Sequence, residues 1–265
     1  PTISRRQRQM CIRDSNRKGL LGVERFMRHY FLIAREVGDL TRSICSLLEE
    51  QQKKTIPVIS KALALFSEKK VEDFVLIAGR IDIPNKNFFK KDPLNIIKLF
   101  YYSMKTGVLI HPNAVRVLRE NLGLINKDLR QNENANKIFL EILLSKKNPE
   151  ETLRQMNETG VLGRFILDFG KIVGLMQFNM YHHYTADEHL LRAIGELNKL
   201  FSGKNKNITK LISEIINSGL SKKILTIALL FHDIAKGRDE DHSIAGAKIV
   251  KKFSKRFNLT DYELE

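Results

Sequence analysis

The segment KKILTIALLFHDIAKG, Lys222 to Gly237, constrains the chain more than any other. Ile224, Leu225, Ile227, Ala228, Leu229, Leu230, Phe231 and Ile234 put apolar side chains on nearly every side of a helix. Such a helix is stable only where other elements cover it, so it is expected at the centre of a helical bundle, running to Lys236 and ended by Gly237. Its last turn carries His232 and Asp233. The helix dipole opposes a carboxylate at a C-terminus, and burial penalises it further unless it is paired or bound to metal. A cation is therefore expected beside Asp233. Lys236 is one candidate, and a divalent ion that also takes the His232 imidazole is another. A bare His-Asp doublet is satisfied equally well by hydrogen bonds alone, so other residues must decide.

Helical periodicity dominates the rest. Val23, Phe26, Met27, Tyr30, Phe31 and Ala34 recur at three- and four-residue steps, continued by Val37, Thr41, Ile44 and Leu48. This predicts one long amphipathic helix, or two joined near Gly38. Asp92-Pro93 and Gly107 bracket a further helix, as do Pro112 and Gly123, and a third runs from Asn148-Pro149 to Gly160. Between Leu162 and Met176 a close apolar rhythm is punctuated by Gly163, Gly170 and Gly174, which either break it or permit tight packing. Thr185 and Glu188 have capping-box spacing, predicting a helix from Ala186 to about Phe201. A loop over Gly203–Asn207 and a helix over Ile208–Asn217 follow, and Thr260 with Glu263 repeats the capping-box spacing. Only FVLIAGRIDIP, Phe74 to Pro84, has strand character, and it reads as a hairpin reversing at Gly79-Arg80. The expected fold is all-α with one small β-hairpin.

Composition excludes several classes. Two cysteines, Cys11 and Cys45, imply no disulfide framework and suit a reducing cytoplasm. No apolar run approaches the roughly 18 residues of a membrane helix, and PTISRRQRQMCIRDS is no secretory signal. The net charge of +15 admits nucleic acid, a membrane surface or an acidic protein as partner. The basic residues are spread along helices beside acids, without the aromatic interleaving of single-strand binders. A solvated basic surface is the simpler reading, and nucleic acid is not expected as a partner. Residues 1–18 are basic and aperiodic, and read as a disordered leader or a non-native scar.

His189 falls in the first turn of the helix capped at Thr185, and His242 just before a helix at Ser243. With His232 and Asp233 they make three histidines and an aspartate at helix ends. His182 and His183 lie in a loop, His29 reads as a surface residue and His111 as a helix starter.

A histidine followed far downstream by a His-Asp doublet resembles the HD-domain metal phosphohydrolases. The strings LRQMNETGVLGRFILDFGKIVGLMQFNMYHHYTADEHLLRAI and LFHDIAKGRDEDHSIAGA are similar to the bifunctional PII uridylyltransferase/uridylyl-removing family. GVERFMRHYFLIAREVGDLTR resembles the helical region after that family's nucleotidyltransferase core. The resemblance covers about residues 19–265. It implies a helical region over 19–160 and an HD domain over 161–265. It implies metal ligands at His189, His232, Asp233 and His242, the last for a second ion, and Mg²⁺ or Mn²⁺ as the metal. Asp233 and Lys236 become the catalytic residues, with Lys236 holding a phosphate. The reaction implied is hydrolysis of the uridylyl-tyrosine phosphodiester on the PII signal protein, releasing UMP. It also implies a role in nitrogen regulation, with glutamine as effector acting through other domains. The family pattern closes with a further Asp, whereas Asp261, Glu263 and Glu265 stand in a different context. The chain is thus expected to be a central piece whose HD part is incomplete. Two rivals remain: an HD-fold regulatory module without activity, and an RNA-processing HD protein.

Deleting residues 1–18 is expected to change stability by less than about 1 kcal/mol; thermal unfolding of both forms checks this.

Overall fold

The computed structural model describes residues 22–53, 70–176, 184–202, 214, 219, 221–238, 240 and 242–263. The expected leader, the His182-His183 pair, the 203–207 loop and all but Glu214 of the 208–217 helix lie outside the described residues. The chain divides into two compact units: Pro1–Arg35 with Ile166–Glu265, and Glu36–Phe165. The first helix, α1 (Gly22–Lys53), is continuous and supplies residues to both. Gly38 does not interrupt it.

The Glu36–Phe165 unit opens with three antiparallel strands, β1 (Lys70–Val71), β2 (Phe74–Ile77) and β3 (Arg80–Asp82). Ile77 pairs with Arg80, so the reversal falls at Ala78-Gly79, one residue earlier than the sequence suggests. Both turn residues have positive φ, 51° and 74°, the backbone a two-residue hairpin needs to match strand twist. The expected hairpin is present, and the short β1 extends it.

Six helices complete the path that matters here: α2 (Phe88–Lys91), α3 (Asn95–Thr106), α4 (Pro112–Glu120), α5 (Lys127–Gln131), α6 (Glu133–Leu143) and α7 (Pro149–Glu158). A last short helix, α8, spans Val161–Phe165. The Asp92 side chain caps the turn before α3, accepting from the Leu94 amide at 3.0 Å, and Gly107 ends α3 in the left-handed region. Gly123 does not end α4. The helix stops at Glu120, where the Asn121 side chain donates to the Val117 carbonyl at 2.8 Å, and Gly123 sits in a separate 3-10 turn. His111 starts α4 as expected, its Nδ1 accepting from the Asn113 amide at 3.1 Å. Phe100, Phe139, Leu153 and Phe165 are fully buried in this unit's core.

The 162–176 rhythm breaks first at Ile166, which is extended, and again after Ile172, where Gly174 takes φ 67°; α9 (Leu167–Ile172) lies between the two breaks, in the other unit. Next come α10 (Ala186–Phe201), α11 (Lys222–Phe231) and α12 (His242–Phe253). α10 begins where the sequence predicts, but the Thr185 side chain makes no capping bond. Glu188 instead accepts from Arg192 at 2.8 Å. The second capping box does form: the Thr260 amide donates to Glu263 at 2.8 Å, and the Glu263 amide to the Thr260 hydroxyl at 3.3 Å.

α11 differs from expectation twice. Thr226, Ile227, Leu230 and Phe231 are buried, but Ala228 is exposed and Ile224, Leu225 and Leu229 are half-buried. Among the described residues α10 and α12 cover it on part of its circumference only, so its all-round apolar character is not matched by all-round burial. The helix also ends at Phe231, before the His-Asp doublet. Three-residue turns follow, with Ile234 bonding back to Phe231 and Lys236 to Asp233. Gly237 then reverses the chain at φ 76°. A Cβ there would stand 3.0 Å from Leu175 Cδ2.

Phe231 anchors this end, its ring 5.0 Å from Phe253 and 6.1 Å from Phe257. Phe231→Ala should lower unfolding free energy by about 3–5 kcal/mol, measured by urea denaturation; a loss under about 1 kcal/mol would contradict this packing.

Candidate metal centre

Asp233 follows the C-terminal cap of α11 and is only 8% exposed. Its environment must therefore supply cations or donors. Three groups converge on one oxygen. The Lys236 ammonium lies 2.7 Å from Oδ2, His232 Nε2 3.3 Å and His189 Nε2 3.7 Å. Lys236 reaches it because it stands three positions on, across a tight turn.

His232 is oriented from behind. Its Nδ1 lies 2.7 Å from the Leu229 carbonyl oxygen, which can only accept. Nδ1 therefore carries the proton, and Nε2 faces Asp233. In a neutral ring this would aim a lone pair at a carboxylate, so Nε2 takes either a proton or a metal ion. Without metal the proton is favoured: the hydrogen bond to Asp233 raises the His232 pKa above its ordinary value, against desolvation and with help from the Leu229 carbonyl. Burial pushes Asp233 upward, but hydrogen bonds from His232 and Lys236 outweigh it and hold the carboxyl well below the usual carboxylate range.

His189 comes from the first turn of α10. The ring is exposed and meets His232 edge-on, with centroids 5.5 Å apart. Asp187, two residues earlier, fixes this turn. It is 5% exposed and accepts from the Gly174 amide at 3.1 Å, with Arg35 at 4.0 Å. The Ala186 amide donates to the Leu175 carbonyl at 2.8 Å. A carboxylate in a first helical turn also meets the favourable end of the dipole. Asp187 is a positioning residue that the sequence reading passed over; an acid two residues before a candidate ligand, in a first turn, is the signal for it. Asp168 acts similarly, accepting from Arg238 at 2.6 Å and so holding the chain just after the doublet.

One ligand atom each from His189, His232 and Asp233 lies within 4.8 Å of the others. Two imidazoles and a carboxylate suit a divalent first-row transition metal, so the donor set fits a metal ion. Lys236 is beside the cluster, on Asp233. His242 opens α12, and its side chain lies outside the described residues. His29 is exposed on α1, and His111 lies in the Glu36–Phe165 unit as the α4 cap, 3.2 Å from buried Asp82.

Residues 74–165 match the family described as uridylyltransferase GlnD third domain. Residues 182–264 match the HD domain, and the cluster lies within that stretch.

The raised His232 pKa gives stability fully present below the unfolded value of about 6.5 and lost as pH rises through the folded value. The depressed Asp233 pKa gives stability present above the unfolded value of about 3.9 and lost as pH falls through the folded value. In metal-free protein, NMR titration should place His232 above about 6.5, and Asp233→Asn should move it down. An unchanged His232 titration in that variant would contradict the pairing.

Proposed function

We infer the function from the premise that this chain belongs to the GlnD-type uridylyltransferases, with that family's third domain followed in order by an HD domain. We propose that the HD part is the uridylyl-removing site: a metal-dependent phosphodiesterase that cleaves the uridylyl-tyrosine bond on the PII signal protein and releases UMP. The observation that carries this reading is the convergence of His189, His232 and Lys236 on Asp233 inside the HD match.

His189, His232 and Asp233 would hold the ion, Mg²⁺ or Mn²⁺, and His242, at the start of α12, would serve a second ion. When bound, such an ion polarises the phosphoryl group and lowers the pKa of a bound water. The chain's own residues do the rest. The Leu229 carbonyl keeps the His232 ring turned so that Nε2 faces the site. Asp187 holds the turn that presents His189. Lys236 offsets the Asp233 charge and is assigned to a phosphate oxygen of the substrate, which an ammonium meets as a point charge. The reading brings with it a cytoplasmic setting, nitrogen regulation and glutamine as effector. Among the described residues no helix is long and apolar enough to cross a membrane.

One observation favours the regulatory alternative. Lys236 already neutralises Asp233 at 2.7 Å, so the fold does not depend on a metal for charge balance. Calorimetric titration with Mn²⁺ and an assay of UMP release from uridylylated PII separate the two. The hydrolase reading expects Mn²⁺ binding and, in a longer form that carries the family's closing Asp, metal-dependent release, with Asp233→Asn in that form lowering release by roughly 100-fold or more, a loss of about 2.7 kcal/mol in transition-state stabilisation. Metal binding without release in that longer form would favour the regulatory module, and release unaffected by chelator would refute the site. Affinity should also fall as pH drops through the raised His232 pKa, because the ion must displace a proton.

A further inference from the structure

A second concave surface lies wholly within the Glu36–Phe165 unit. α3 and α6 pack side by side and leave an open cleft of about 590 Å³ along their exposed edge. Its floor is apolar. Tyr101 and Met104 come from α3, and Leu140 with Leu144 from α6 and its cap, at the three- and four-residue steps that line one helix face. Its rim is cationic: Lys105, Lys137, Lys146 and Lys147 carry four ammonium groups against the one carboxylate of Glu141.

The rim is organised. Lys147 Nζ donates to the Lys105 carbonyl at 2.5 Å, across the C-terminal end of α3 where the helix dipole favours a cation. Lys105 Nζ stands 5.5 Å from the centre of the Tyr101 ring. The aromatic face is thus partly occupied by a cation.

We propose that this cleft docks an acidic amphipathic helix of a partner protein, with its apolar face on Met104, Leu140 and Leu144 and its carboxylates on the lysine rim. This goes beyond the hydrolase reading and does not depend on it. The occupant follows from complementarity. An apolar floor between two helices fits the apolar face of a third, and a rim of this sign selects acidic side chains and repels basic ones. A second copy of this chain, at a net charge of +15, is disfavoured by the same rim. Nucleic acid would use the lysines but not the aliphatic floor, and it stacks on open aromatic faces, whereas Lys105 stands over the Tyr101 ring.

The test is fluorescence anisotropy on the full chain. The probe is a labelled helical peptide of roughly 15 residues, long enough to hold a helix, with Leu at i, i+3, i+4 and i+7 and Glu elsewhere. Controls replace Glu by Lys, or Leu by Ser, and an RNA oligonucleotide of equal charge serves as competitor. The acidic amphipathic peptide should bind at least tenfold tighter than either control peptide. Lys137→Glu combined with Lys146→Glu should weaken it at least tenfold, and Leu140→Gln should do the same. Lys137 and Lys146 are exposed, so circular dichroism should show an unchanged fold in the charge variant. Equal binding of the Ser peptide, or RNA binding lost in the same variants, would make this a polyanion surface and overturn the proposal. So would self-association by sedimentation that the same variants abolish, or a peptide affinity that neither variant changes.

Discussion

A carboxylate that is almost fully buried has to be met by positive charge, and Asp233 is where that requirement organises the HD unit. It stands just beyond α11, on the side of the helix dipole that disfavours it, at 8% exposure. Two histidines and a lysine, from the first turn of α10 and the turns after α11, answer it on a single oxygen. Much of the surrounding architecture serves to deliver those groups. Phe231 packs against Phe253 and Phe257 to fix the end of α11. Gly237 allows the reversal after the doublet, beside Leu175. Asp187 and Asp168 tie down the chain on either side.

The lysine gives the site two possible states. With Lys236 at 2.7 Å the carboxylate is neutralised by the protein alone. A divalent ion would supply more charge and would also use the imidazole nitrogens that now face a carboxylate. Because His232 Nδ1 is committed to the Leu229 carbonyl, the choice at Nε2 is between a proton and a metal. Loss of a proton and gain of an ion are therefore the same event, seen from two sides.

The sequence made the fold class legible because helical periodicity and helix-end residues repeat along its length. Residues with strong local preferences behaved as read: Gly107 in the left-handed region, His111 at a cap, and Thr260 with Glu263 as a reciprocal pair. Errors arose where tertiary partners decide. The helix before the doublet ends at Phe231 because three-residue turns replace helical bonds there, which no composition rule foretells. α11 looked fully enclosed because apolar residues encircle it, yet burial depends on what packs against it. At the site, the doublet and His189 could be singled out from residue type and helix ends, and the family resemblance joined them. Their convergence on one oxygen could not be read, because it depends on how α10 and α11 pack. Asp187 went unnoticed for the same reason, since its partner, the Gly174 amide, is distant in sequence.

The most direct measurement is a crystal structure of the Mn²⁺-soaked protein with anomalous diffraction recorded at the manganese edge. The account predicts an anomalous peak within roughly 2.0–2.6 Å of ligand atoms on His189, His232 and Asp233, with the Lys236 ammonium displaced from its 2.7 Å position on Asp233. A peak elsewhere on the chain, with Lys236 still paired to Asp233 and no ion among the three side chains, would contradict it.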